Sequence, residues 1–264
     1  MPSVSNIAVG AAMAGAAATK ARHQMNESIA RLSTGVRSMY GGDAAGQSVA
    51  NSIGAKAASF AVAARNAEDG ISYLQSAESL LLELAALTTR LRELGIQYAN
   101  KALLTTTDEA ALNAEASAIG DALESIASNT LFNGTQLVGN SMAISIGIND
   151  QGTAATVGTQ QSIAVANTGA ITGANGVDGS ADTALGEIAK SLGNVAAGMT
   201  ALKGYQASAS AASANLAAAA ARIQDTDFAL ETAALTKAAI LNQSAMAMVA
   251  QANQAQQAIL TVIQ

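Results

Sequence analysis

The residues with chemical potential are few and scattered. His23 is the one histidine in 264 residues, and its nearest same-face carboxylate is Glu27. A zinc site takes three or four ligands, so this pair lacks a donor set. Asp225 and Asp227 flank Thr226. Two carboxylates can share acid–base work when a cleft holds them apart, but here they stand just before an apolar periodic run. In that place a side-chain oxygen caps free N–H groups and suits the helix dipole. Ser38–Gly46 (SMYGGDAAG) has the paired glycines of a phosphate cradle without the following Lys-Ser/Thr, and reads as a hinge between helices. No Gly-x-Ser-x-Gly elbow occurs and no nucleophile pairs with a base. The sequence therefore offers no catalytic, cofactor or metal residues, and an enzyme is not expected.

The elements that carry these residues are more informative. In the last stretch, Ala234, Ala238, Leu241, Ala245, Met248, Ala252, Ala255, Ile259 and Val262 alternate steps of four and three. That rhythm is a coiled-coil seam, one stripe of a helix turned to a partner. No Asp, Glu, Lys or Arg follows Lys237. An Ala-rich seam removes little apolar area from water, at about 25 cal/mol per Å², so this helix needs neighbours on several sides. The first stretch has the same phase at Ile7, Ala11, Ala14, Ala18, Ala21, Met25, Ser28 and Leu32. The two ends are natural partners, parallel or antiparallel. We expect subunit packing at Ile7, Ala11, Ala14, Ala18, Met25, Leu32, Ala238, Leu241, Ala245, Met248, Ala252, Ile259 and Val262.

Between the ends, residues 71–99 read as a long helix with Leu74, Ala77, Leu81, Leu84, Thr88 and Leu91 on one face. Thr106–Glu109 has capping-box spacing, and a shorter helix runs on to about Ala127 with Leu112, Ile119, Leu123 and Ile126 inward. FNGTQLV, AISIGI and QSIAVA read as hairpin strands, and Asn167–Ser180 as a Gly-rich loop. A final periodic run from Leu185 to Ile223 makes a rod of roughly 55–60 Å at 1.5 Å per residue. The fold class is mainly α: coiled-coil-like rods from both chain ends, with a small β-hairpin region at about 132–180.

Composition agrees. Half the residues are hydrophobic, only 3% are aromatic, and Pro2 is the one proline, which suits slender, closely packed helices. A formal charge of −6 argues against nucleic acid. Neither apolar end reads as a membrane span, since residues 238–264 hold eight Asn or Gln. Lys20 and Arg22 follow the first apolar run instead of preceding it, so that run is not expected to be a cleaved leader.

Several motifs carry a family resemblance. Ala221–Gln254 (ARIQDTDFALETAALTKAAILNQSAMAMVAQANQ) is similar to the C-terminal signature of bacterial flagellin. RLSTG at Arg31–Gly35, DAAG at Asp43–Gly46, RNAEDGIS at Arg65–Ser72, RLRELGIQ at Arg90–Gln97 and FNGTQLV at Phe132–Val138 follow in family order. The chain resembles a short flagellin without the variable outer domains. It departs in Gly95-Ile96 for Ala-Val, in lacking a proline near the end, and in ending on Gln264 where Arg is common.

The resemblance implies a structural subunit of an extracellular flagellar filament that polymerises with itself for swimming motility. It implies export through the flagellar type III system, with an export chaperone and with filament cap and hook-junction proteins as partners. It also implies a terminal domain of residues 1–42 plus 225–264 forming the inner tube, and a rod domain of 43–224. By motif match, Arg90, Leu94 and Glu115 would meet the host Toll-like receptor for flagellin. Two rivals remain: a hook–filament junction protein, which shares the terminal helices, and a membrane-active helical translocator. The second would show a fully apolar hairpin with basic flanks, which this sequence lacks.

Overall fold

The computed structural model describes residues 2–37, 43–138, 143–157 and 177–263. In chain order these form α1 (Pro2–Thr34), α2 (Ala44–Ala99), a 3-10 turn at Lys101–Leu103, α3 (Thr106–Asn129), β1 (Leu131–Phe132) and β2 (Thr135–Gln136). Then follow β3 (Ile144–Gly147), β4 (Ala154–Val157), α4 (Val177–Gln224) and α5 (Phe228–Ile263). The described residues form helical rods with two small hairpins. It divides into two compact units, Met1–Ala55 with Leu216–Gln264, and Lys56–Asn215. Both boundaries fall inside helices, α2 and α4, and not at the Gly-rich joint.

In the Lys56–Asn215 unit, helical periodicity turns one face of each helix into a common core. Leu74, Leu81, Leu84 and Leu94 of α2 and Val195 and Leu202 of α4 are completely buried, with Ala116 and Leu123 of α3 beside them. Each such Leu contributes about 1.5–3 kcal/mol by leaving water. Arg90 of α2 meets Glu115 of α3, whereas Arg92 meets Asp182 and the Ser213 hydroxyl donates to the Ala57 carbonyl, so α3 and α4 both run antiparallel to α2.

Three expected boundaries shift, the first being the long helix expected over 71–99, which already begins at Ala44. The capping box lies one residue earlier: Thr105 is the N-cap, its hydroxyl accepting from the Asp108 N–H while Asp108 Oδ2 accepts from the Thr105 N–H. The Asp108 side chain suits this because it is one carbon shorter and already at the third helical position. The Thr105 hydroxyl, then its N–H, hold the Asp108 carboxyl below its ordinary value. This cap is therefore complete above the ordinary Asp range and is lost as pH falls through the lowered value. The expected loop Asn167–Ser180 also gives way, since α4 begins at Val177, which makes it 48 residues or about 72 Å long. Residues 167–176, and the expected strand QSIAVA at 161–166, lie outside the described residues.

The hairpins pack on α2. Asn133 (φ 47°) and Gly134 (φ 81°) form the two-residue turn between β1 and β2, the left-handed pair for which Asn-Gly is the preferred dipeptide. β3 pairs antiparallel with β4, whose AATV sequence carries too little apolar character to announce a strand. Asn149 Oδ1 closes that hairpin by accepting from the Gln151 and Thr153 N–H groups. Gly70 of α2 lets Ile146 of β3 and Leu202 of α4 approach its backbone where a Cβ would collide with both.

Tyr73 fastens the first hairpin. Its ring meets Phe132 edge-on at 5.7 Å, and its hydroxyl donates to the Gln136 carbonyl at 3.0 Å. Burial pushes the phenol above its ordinary pKa, so it remains a donor at neutral pH. Tyr73→Phe should cost about 1 kcal/mol, the net worth of one hydrogen bond plus a stranded acceptor, measured by urea unfolding. An unchanged midpoint would mean that water replaces the phenol freely.

Candidate subunit-packing surface

The surface begins with how the two chain ends pair. α1 ends at Thr34, and Gly35 turns it with φ 71° while its N–H donates to the Arg31 carbonyl at 2.8 Å. Val36 then bridges Asp225, the Thr226 N–H donates to the Gly35 carbonyl, and Arg31 pairs with Glu231 at 3.7 Å. The end of α1 and the start of α5 thus share one joint. Since the two helices pack along one another from there, they run antiparallel. The direction left open by the heptads is fixed by this joint.

Arg37 holds the joint, and no sequence argument singled it out. Its Nε and Nη2 donate to the Ile223 carbonyl at 3.3 and 3.1 Å, capping the end of α4, and Nη2 donates to Asp43 Oδ2 at 2.8 Å. Asp43 Oδ1 in turn accepts from the Gly46 N–H at 2.8 Å, in the first turn of α2. One guanidinium therefore serves two helix ends, that of α4 directly and that of α2 through Asp43. The only signal was a lone Arg beside the Gly-rich joint. Arg37→Ala should lower stability by about 1 kcal/mol, discounted for half-exposure, with Arg37→Lys intermediate because it keeps the charge but not the fork. Equal stability of all three proteins in thermal unfolding would remove Arg37 from this role. Asp227 is a cap as expected, its Oδ1 accepting from the Ala229 and Leu230 N–H groups. Asp225 lies in the bridge to Val36.

The expected α1 seam faces inward. Ala18, Ala21 and Ser28 are buried and Ala11, Ala14, Met25 and Leu32 half-buried. The α5 seam is divided. Ala238 and Ala245 are buried and Ala252 half-buried, but Leu241 is 47% and Met248 59% exposed. The positions turned inward beside the alanines are Asn242 and Val249, one residue further on. This corrects the expectation of one stripe facing one partner helix. An Ala-lined α1 lets the helix backbones come close, and the bulkier Leu and Met are rotated to the flank. Asn242 Oδ1 is buried with no hydrogen-bond partner. The side chains of Ile7, Ile259 and Val262 lie outside the described residues.

What remains uncovered is therefore apolar. Leu230, Ile240, Leu241, Met246 and Met248 of α5, with Val9 and Met13 of α1, are each about half exposed or more. With no charge after Lys237, no ionised side chain on this end of α5 opposes its being covered. Among the described residues no helix is long and apolar enough to cross a membrane, and no cluster of His, Asp and Glu could hold a metal ion. His23 lies exposed on α1.

The receptor-motif residues separate differently. Arg90 donates to Glu115 at 2.7 Å and to Glu93 at 3.0 Å, and all three are exposed. The bond to Glu115, more than that to Glu93, holds the guanidinium above its ordinary pKa. Leu94, by contrast, is completely buried in the helical core. The i+4 step from Arg90 turns inward because Leu91 and Leu94 complete the stripe begun by Leu74.

Comparison with known proteins agrees with this architecture. Residues 5–143 match the bacterial flagellin N-terminal helical region and residues 179–263 the C-terminal helical region. The chain is 34% identical to flagellin FlaB2 of Treponema pallidum (strain Nichols) over 90% of its length and 92% of that protein. It is 33% identical to the flagellar filament 33 kDa core protein of Treponema phagedenis, again over 90% and 92%. With flagellin of Halalkalibacterium halodurans it shares 32% identity over 91% of this chain and 92% of the other. The long paired helices, the apolar flank left open on them and these matches have one reading: the chain belongs to the bacterial flagellin family, as a structural subunit of the flagellar filament.

Proposed function

We propose that the subunit enters the filament through the open flank of α5, with Leu241 and Met248 covered by neighbouring copies of the chain. The single observation that carries this reading is that two large apolar side chains in heptad phase stay exposed while Ala238 and Ala245 of the same run are buried. The flank that carries Leu241 and Met248, unopposed by charge after Lys237, is what a second copy of the same chain would cover. In this arrangement residues 1–42 and 225–264 form the inner tube and residues 43–224 the outer rods. Ala238, Ala245 and Ala252 act one step back, holding α5 against α1 so that its flank is presented correctly.

The remaining roles are supported by family membership. The subunit is exported through the flagellar type III system, is carried by an export chaperone, and is placed between hook-junction proteins and a filament cap. It has no catalytic role. Toward a Toll-like receptor for flagellin, Arg90 and Glu115 offer exposed but mutually paired charges, and Leu94 shapes that face from beneath. A receptor must break or share the Arg90–Glu115 pair to use either charge.

Concentrated subunit, seeded with filament fragments and centrifuged, tests the proposal. Filaments should pellet and leave a fixed supernatant concentration whatever the total. A supernatant that rises in proportion to total protein, with no filaments by electron microscopy, would contradict it.

A further inference from the structure

We infer that Met248 is a redox-sensitive site, at which oxidation of the free subunit to the sulfoxide blocks its addition to the filament; this rests on the α5 packing reading above. The side chain is 59% exposed on the same flank as Leu241, seven residues earlier. A two-electron oxidant of the peroxide class reaches the thioether sulfur directly. The sulfur lone pair takes one oxygen from the peroxide, the O–O bond breaks, and water leaves, so sulfur is oxidised and peroxide reduced. The chain has no cysteine, and of the described methionines Met13 and Met246 share this exposure while Met25 and Met199 are half-buried.

The consequence follows from polarity. A sulfoxide carries a strong acceptor oxygen where an apolar contact is required. The C-terminal part of α5 supplies no Lys or Arg to satisfy it, since none follows Lys237. Burying that oxygen unpaired at every subunit contact weakens addition, and about 1.4 kcal/mol per contact already corresponds to tenfold. Met246 lies on the other flank of α5 and Met13 on α1, both exposed, so their oxidation is an internal comparison. Once a neighbour covers Met248 the sulfur is shielded. The growing filament thus accepts reduced subunits and protects them, and the sulfoxide is reversible by methionine sulfoxide reductases.

The experiment treats purified full-length subunit with hydrogen peroxide, maps each methionine by mass spectrometry, and measures the supernatant concentration left after seeded growth. Oxidised subunit should leave about tenfold more in the supernatant or greater. Reduction with both sulfoxide reductases should reverse the change. A Met248→Leu subunit, compared before and after peroxide with its own untreated value, should change less than about twofold. Met248 that resists peroxide in the free subunit, or confirmed sulfoxide that leaves growth unchanged, overturns the inference. So does a Met248→Leu subunit that remains as sensitive as the parent. Peroxide treatment of finished filament separates the two layers of the argument. Met248 shielded in filament, with no growth defect from its sulfoxide, refutes only the redox inference. Met248 oxidised as fast in filament as in free subunit refutes the packing reading itself.

Discussion

Met248→Asp should polymerise poorly while its free subunit keeps the α1–α5 pairing. In the single chain the side chain is on the open flank, so an aspartate there is hydrated and costs the monomer almost nothing. In the filament the same carboxylate loses its water among Ala, Leu and Ile. It must then be protonated or keep water with it, at a cost of several kcal/mol per subunit, which raises the critical concentration by a hundredfold or more, about tenfold per 1.4 kcal/mol. Ala245→Asp has the opposite order of effects. Ala245 is buried against α1, so the charge separates the helices in the free subunit and lowers helix content before any assembly. Gln251→Asp, at an exposed position, should do less than either. Supernatant concentration after seeded growth and circular dichroism of the subunit decide the matter together. If Met248→Asp grew like the parent, the open flank of α5 would not be a subunit contact.

Leu94→Ala should destabilise the Lys56–Asn215 unit by about 3 kcal/mol, within the usual range for removing a fully buried leucine and leaving a cavity. Arg90→Ala, which removes only two exposed and salt-screened pairs, should barely change stability. The contrast matters because both residues belong to RLRELGIQ. Loss of receptor recognition in Arg90→Ala would report a surface contact, whereas the same loss in Leu94→Ala would report a disturbed helix. Urea unfolding of the two variants beside the parent distinguishes them. Wild-type stability in Leu94→Ala would mean that the core closes over the gap without cost.

The rods were legible in the sequence because burial in a helix repeats. Leu74, Leu81, Leu84 and Leu91 on α2, and Ile188, Val195 and Leu202 on α4, are where the four-three rhythm puts them, and they are buried. Aspartate before an apolar run likewise marked Asp227 as a cap, and Asn133-Gly134 marked a hairpin turn. Rotation about the helix axis was legible only in part. Leu241 and Met248 satisfy the heptad better than Asn242 and Val249 by hydrophobicity, yet closeness of the Ala-lined backbones decides which stripe turns inward. β4 went unrecognised because two of its four residues are alanine, which is depleted in strands, and only Val157 enters the core. Arg37 was invisible for another reason. Its partners, Ile223 and Asp43, are joined to it only by the fold, one of them 186 residues away.

The most direct test of the account is a cryo-electron microscopy map of the assembled filament at side-chain resolution. The account predicts that Leu241 and Met248 of each α5 lie in van der Waals contact with a neighbouring subunit, with Ala238 and Ala245 still against α1 of the same chain. A filament in which that flank of α5 meets only solvent would contradict it.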